Sequence, residues 1–397
     1  MVVAAAPSAL RRISPLDPDR HSGPTTMTQA TIDAASGAVR VTWPDGEEGV
    51  FPFLWLRDNC PTAFHPETEE RRFDLLSVPE TAAPELVAAE DDAIRVIWAN
   101  DGHESRFDPA WLRARRPGRP YADAAAEAPL IWDAATLDAH GLPQTPAAPL
   151  MTDDRALRDW LAEVRRVGLG LVTDLDPDPL SGEAVARRVA FLRETNFGAI
   201  FEVRSKPNPN NLAYTAEALP LHTDLPNQEL APGFQFLHCV ENTAKGGGSV
   251  FVDGYAVAEA MRAADPEGFA LLRDIPIPFR FHDGEADLRK RDTVIRCDWE
   301  GRVAEVRWST HLTDTFDMDP GTLRTYYPAY RKFMALMREP RFHRTLRLAS
   351  GQMAVFDNRR TLHGRESFDP STGARFLRGF YVDRGEWDSR LRVLSRA

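Results

Sequence analysis

Residues 233–253 read GFQFLHCVENTAKGGGSVFVD, two short apolar runs, Gly233 to Val240 and Ser249 to Asp253, separated by a polar, glycine-rich link. Runs of this length bounded by turn residues are strand signals. Moving outward, Arg302 to Trp308, Gln352 to Phe356 and Arg375 to Val382 have the same form. Helical segments intervene, one entered through Asp265-Pro266 and another around Tyr326 to Met337. The Gly-rich strand-to-helix opening of a doubly wound sheet does not occur. The pattern predicts an α+β architecture, an antiparallel double-sheet barrel flanked by helices.

Upstream of these strands, Leu157, Trp160, Leu161 and Val164 recur at helical spacing in Asp153 to Val167, and Gly168 supplies a stop. Ser181 is the expected cap of a second helix with Val185, Val189 and Leu192 on one face. Further toward the N-terminus is an internal repeat. GAVRVTWPDGEEGVFPFLWLR at 37–57 matches DAIRVIWANDGHESRFDPAWLR at 92–113, aligning Trp43 with Trp98, Asp45-Gly46 with Asp101-Gly102, and Trp55-Leu56-Arg57 with Trp111-Leu112-Arg113. Each copy predicts a strand, an Asp-Gly hairpin turn, a second strand and a short Trp-Leu segment folded back on the sheet. Two copies are too few for a solenoid, so the segment reads as one pseudo-symmetric β-rich domain, a packing and dimerisation module. The expected organisation is a disordered tail at 1–29, with Met27 as an alternative start, the small domain at 30–118, an Ala-, Pro- and Arg-rich linker at 119–150, and a larger domain at 151–397.

The composition, 43% hydrophobic and 27% charged over 397 residues, is that of a soluble globular protein large enough to be an enzyme. A formal net charge of -11 argues against nucleic acid or an anionic membrane as partner. Three cysteines, Cys60, Cys239 and Cys297, are too few for a disulfide framework, and no signal peptide or membrane span is evident, so a cytoplasmic location is expected.

The sharpest local feature is Leu221-His222-Thr223-Asp224. In extended backbone, residues two apart point to one side, so the His222 imidazole and Asp224 carboxylate can approach one ion. A third ligand is available in His363, within FDNRRTLHGR at 356–365 and just after a predicted strand. Two histidines and a carboxylate with open positions suit non-haem iron(II). An isolated HxD triplet is more often a surface pair, but Arg375, at the start of RFLRGFYVD, adds a guanidinium able to pair bidentately with a carboxylate. The run Gly246-Gly247-Gly248-Ser249 reads either as a tight turn or as a close approach of backbone and the Ser249 hydroxyl to a ligand.

Together with WLRDNC at 55–60, NNLAYT at 210–215, and LHCVENTAKGGGSVFVDGY at 237–255, these motifs resemble the γ-butyrobetaine and trimethyllysine dioxygenase branch of the taurine-dioxygenase-like oxygenases, over nearly the whole chain from about Gly37. The resemblance implies a double-stranded β-helix (jelly-roll) core and iron(II) held by His222, Asp224 and His363. It also implies 2-oxoglutarate as co-substrate with its distal carboxylate on Arg375, Leu237 lining the same pocket, and consumption of O2. It further implies hydroxylation of a small trimethylammonium compound, ascorbate as an auxiliary reductant, and a homodimer.

Relatives hold the cation in an aromatic cage, which suits a group that cannot be hydrogen-bonded. The matching positions are Phe197, Phe201, Tyr214 and Tyr381, with Phe standing at 197 and 201 where γ-butyrobetaine enzymes resemble Tyr and Trp. Of two asparagines facing the substrate carboxylate in those enzymes, Asn211 is kept and Ser309 stands at the other. γ-Butyrobetaine, trimethyllysine and 2-trimethylaminoethylphosphonate therefore remain open as substrates. The small-domain zinc site of relatives is reduced to Cys60, His65 and His103, with Thr62 at a former cysteine position, and reads as lost. Competing readings are a non-catalytic sensor of quaternary ammonium or 2-oxoglutarate, and a metal hydrolase, against which the absence of an HExxH pattern counts.

Overall fold

The computed structural model describes residues 27–176, 178–204 and 215–396. The chain divides into two compact units at Ala122–Asp123.

In the first unit each sequence repeat is a three-stranded antiparallel sheet, Gln29–Asp33, Ala38–Thr42 and Glu48–Pro52 in the first copy, Pro84–Ala89, Ile94–Trp98 and Glu104–Phe107 in the second. The leading strand of each was not evident from sequence: QATID stays largely exposed, and Pro84 opens an outer strand with a shift in register. Six-residue helices, Phe53–Asp58 and Pro109–Ala114, follow the two sheets. Their core joins Val39, Val41, Trp43, Phe51 and Leu56 to Ile94, Val96, Trp98, Phe107 and Leu112. The copies interlock reciprocally. Arg57 of the first reaches Asp101 in the turn of the second at 3.1 Å, Arg113 of the second pairs with Asp45 in the turn of the first, and Trp55 meets Trp111 with ring centroids 5.9 Å apart.

The second unit combines helices with two main sheets. The larger has the order Gln144–Pro146, Leu169–Thr173, Gln352–Asp357, Phe234–Asn242, Arg375–Val382, Phe201–Val203, antiparallel except for its first pair. The smaller has the order Leu219–His222, Thr361–Arg365, Ser249–Asp253, Arg344–Leu346. Period-two alternation sorts the large sheet's residues. Phe234, Phe236, Met353, Val355, Phe380 and Val382 pack with Trp160 and Leu161 of the Asp154–Val167 helix and Trp387 of the Arg384–Leu394 helix. The intervening residues, Gln235, Leu237, Arg375, Leu377 and Tyr381, line a cavity. Phe234 stacks on Trp387 at 3.8 Å between centroids, so truncating Trp387 to Ala would cost about 3–5 kcal/mol. A second core, under the Gly254–Ala264, Pro266–Asp274 and Pro320–Met337 helices, contains Trp308, Tyr326 and Phe333.

Several expectations change in detail. Asp153, not an interior residue, caps the first long helix, and Gly168 ends it at φ +80°. Ser181 does not cap the helix Ser181–Val189; its hydroxyl donates to the Asp176 carbonyl. The helix expected from Tyr326 begins at Pro320, behind an Asp319 cap. Only Val303–Val306 of the expected 302–308 strand pairs, with Ile295–Cys297 in a separate ribbon. The expected linker holds the helix Ala134–His140 and the strand Gln144–Pro146, and Trp132 is fully buried with its backbone N–H on Asp253. Its alanine- and proline-rich composition conceals a segment anchored by one tryptophan.

Candidate active site

Strand Leu219–His222 lies antiparallel to Thr361–Arg365, with His222 opposite His363. Two residues on, Asp224 completes a group whose ligand atoms all lie within 4.8 Å of one another, the one such group of three among the described residues. Asp224 Oδ1 is 3.2 Å from His222 Nε2 and 3.7 Å from His363 Nε2. The His222 Nδ1 atom donates to the Pro220 carbonyl at 2.8 Å, which fixes the ring with Nε2 toward Asp224. Burial, reinforced by the adjacent His222 ring, pushes His363 down to about 3, so its imidazole is neutral. Burial alone would raise the Asp224 carboxyl; the two imidazoles and the Tyr381 hydroxyl outweigh it and hold the group well below the carboxylate range.

The stretch FDNRRTLHGR scaffolds this triad. Asn358 Oδ1 accepts the Asp224 N–H at 2.6 Å while its amide donates to the Asp224 carbonyl at 3.0 Å, so one side chain clamps the ligand's backbone. Thr223 is held by Trp308, donating its N–H to the Trp308 carbonyl at 2.7 Å. Around them run buried ion pairs, Asp357 with Arg384, Arg359 with Glu305, and Arg360 with Asp253. Asn358 and Trp308 were missed from the sequence as determinants of the site. Asp357, Arg359 and Arg360 of the stretch close internal pairs rather than facing solvent.

His222, Asp224 and His363 face a cavity also lined by Leu237, Ser249, Arg365 and Arg375. Arg375 is 8% exposed and forms no ion pair among the described residues; its Nε donates to the Gly247 carbonyl at 3.3 Å. Burial and then the nearby Arg365 lower it to about 10, so it stays cationic at neutral pH. A Cβ at Gly247, φ +71°, would stand 2.9 Å from Arg375 Nε. The glycine run turns the chain and makes room for the guanidinium, and Ser249 lines the same cavity.

On another wall Phe201 stacks on Tyr381, centroids 5.2 Å apart, and Phe197 meets Phe281 edge-on at 5.3 Å. Phe281 was not foreseen. Asn211 and Tyr214 lie outside the described residues. Ser309 does not reach the cavity: it is completely buried, its Oγ 3.3 Å from the ring of His311, and His311 is the side chain that lines the wall. The turn after Trp308 faces residue 311 into the cavity, a displacement of two positions that residue matching could not detect. Gln235, also on the wall, keeps a buried side-chain oxygen without a hydrogen-bond partner among the described residues.

In the first unit, Cys60 Sγ, Thr62 Oγ1 and His103 Nε2 form a triangle with sides of 3.1, 3.2 and 3.4 Å. His65 does not join it: its Nδ1 accepts the N–H groups of Glu67 and Thr68 within its own turn, both at 3.3 Å. A Cys60, His65 and His103 zinc set is thus not assembled among the described residues.

Residues 140–381 match the family model described as taurine catabolism dioxygenase TauD, TfdA family, and residues 30–113 match gamma-butyrobetaine hydroxylase-like, N-terminal. The chain is 43% identical to a gamma-butyrobetaine dioxygenase of Pseudomonas sp. (strain AK-1), covering 95% of this chain and 99% of the relative. It is 29% identical to the human gamma-butyrobetaine dioxygenase, over 91% and 96% of the two chains. With the trimethyllysine dioxygenase of Meyerozyma guilliermondii it shares 26% identity over 90% and 94%. No helix among the described residues is long and apolar enough to cross a membrane.

Proposed function

We propose that this chain, which belongs to the taurine catabolism dioxygenase TauD, TfdA family, hydroxylates a small trimethylammonium substrate of the γ-butyrobetaine type with iron(II), 2-oxoglutarate and O2. The observation that carries the reading is one cavity that joins a two-histidine, one-carboxylate cluster, a buried guanidinium with no carboxylate partner among the described residues, and a stacked aromatic pair. The donor set fits iron(II): two imidazole nitrogens and one carboxylate oxygen converge within 4.8 Å of one another. Bound iron would supply oxygen activation, with one oxygen atom entering the substrate C–H bond as hydroxyl and the other entering the succinate formed as 2-oxoglutarate loses CO2.

His222, Asp224 and His363 would hold the metal, and Asn358 keeps the Asp224 backbone from drifting. Arg375 pairs with the distal carboxylate of 2-oxoglutarate, while Ser249 and Leu237 shape the same end. Phe201, Tyr381 and Phe197 offer ring faces to the quaternary ammonium, each worth ~0.5–2 kcal/mol once water is excluded, and Tyr214 belongs to the same cage by resemblance. At the anionic end we assign Asn211, with His311 in place of Ser309. The two sheets of the second unit we read as a double-stranded β-helix, and the first unit as a zinc-free packing module of a homodimer.

The test is anaerobic loading with iron(II) and 2-oxoglutarate, then aerobic quantification of succinate with γ-butyrobetaine and trimethyllysine in parallel. Succinate release stimulated by γ-butyrobetaine and abolished in His222→Ala is the expected result. Iron binding without stimulation by either compound would overturn the substrate assignment and favour the sensor reading.

A further inference from the structure

Tyr381 touches, among the described residues, a ring and a carboxylate that the proposed function would treat separately. Its ring stacks on Phe201, and its hydroxyl donates to Asp224 Oδ2 at 2.6 Å. The two oxygens of Asp224 are thereby distinguished: Oδ1 faces the nitrogens of His222 and His363, and Oδ2 faces Tyr381. The ring's seat is also determined by the sequence. Phe201 lies opposite Gly379 in the sheet, and a Cβ on Gly379 would fall 2.2 Å from the Phe201 ring, so the stacked pair exists because residue 379 has no side chain.

Resting on the functional reading above, we propose that Tyr381 is a positioning residue that joins the substrate-cation wall to the metal carboxylate, closing the cage with its ring while restricting Asp224 to one donor oxygen. The coordination chemistry gives the restriction its purpose. Two imidazoles and a single carboxylate oxygen leave the positions needed for a bidentate co-substrate and for O2, whereas a carboxylate that swings to bind through both oxygens takes one of them away. A hydrogen bond to the second oxygen opposes that swing. A trimethylammonium group over the ring face also draws electron density from the phenol, making its O–H a stronger donor. Asp224 is then held most firmly when the cage is full, so the carboxylate and the substrate cation are linked through one side chain.

The experiment uses the full-length protein with Tyr381→Phe and Tyr381→Leu, compared with wild type in three readouts: iron(II) affinity in the anaerobic 2-oxoglutarate complex, γ-butyrobetaine affinity in that complex, and succinate formed per hydroxylated product. Tyr381→Phe keeps the ring, so γ-butyrobetaine affinity is expected within about threefold of wild type, while iron affinity falls about 10- to 100-fold and succinate exceeds product. Tyr381→Leu is expected to lose both affinities. Thermal melting of the metal-free variants identifies any that fail to fold, and Tyr381→Phe, which removes one oxygen, is the arm designed to survive. Wild-type iron affinity and a one-to-one product ratio in Tyr381→Phe would overturn the proposal. So would a loss of substrate affinity in Tyr381→Phe as large as in Tyr381→Leu, because the hydroxyl would then serve the substrate. If wild type binds iron but no trimethylammonium compound, the functional reading fails, and the iron arm still reports on the Tyr381–Asp224 bond.

Discussion

The chain contains two clusters built to one plan, a pair of polar residues two apart joined by a distant histidine: Cys60 and Thr62 with His103, and His222 and Asp224 with His363. In the first, thiol, hydroxyl and imidazole satisfy one another at 3.1–3.4 Å. In the second, one oxygen of the Asp224 carboxylate faces two imidazole nitrogens at 3.2 and 3.7 Å, while its other oxygen and its backbone are already occupied. Closeness of ligand-type atoms is thus not what makes a metal centre. What matters is an anionic donor set that the protein leaves unfinished on one side and braces on the other.

The comparison breaks most visibly at Asp224. Asp224→Ala is expected to lower iron-dependent succinate release by more than about 100-fold, since losing even an outer partner of a ligand costs about 10- to 100-fold; iron content and succinate measured together check it. Next is Arg375→Leu. Removing one member of a buried charge pair costs about 2–5 kcal/mol, so apparent 2-oxoglutarate affinity should fall at least ~30-fold, read as a raised KM for 2-oxoglutarate at saturating substrate. A smaller change is expected at Gly379→Ala. Overpacking against Phe201 costs about 1–3 kcal/mol, so the KM for γ-butyrobetaine should rise roughly fivefold or more, with 2-oxoglutarate KM unchanged.

Two tests sharpen the comparison from the other cluster. Thr62→Cys supplies a second thiolate beside Cys60 and His103, and metal analysis should find zinc bound in the variant at levels absent from wild type. Equal zinc content in both would show that the triangle already suffices. Acid titration should also separate the clusters in the metal-free protein. His363 has a folded value of about 3 against an ordinary 6.5, so below 6.5 the unfolded chain binds a proton the folded chain refuses. Melting temperature should therefore fall as pH drops from 6.5 toward 3, and iron, which needs the neutral ring, should lessen the fall near neutrality. Burial and Arg57 lower His103 as well, in a much less enclosed position, and His103→Gln should leave most of that acid sensitivity in place.

The parts of this site that could be read from sequence were those carried by rare residue types. His222, Asp224, His363 and Arg375 announce themselves by chemistry, and the repeat by its tryptophans and Asp-Gly turns. The short strand bearing His222 was not legible, because four residues interrupted by Pro220 give no alternation to count. Asn358 and Gly379 were invisible for a related reason. One acts through a backbone 134 positions away, and the other acts by lacking a side chain. The cap at Ser181 failed because that residue is the first of the helix, behind Leu180 in the capping position, and its hydroxyl turns back to the Asp176 carbonyl.

The reciprocal pairs Arg57–Asp101 and Arg113–Asp45 carry a consequence for how the small unit can be altered. Each copy of the repeat completes the other's turn, so neither copy is a module that can be excised, swapped or tuned alone. A charge lost at residue 45 would leave Arg113, 68 positions away, with Glu47 in place of two carboxylate partners in the first copy.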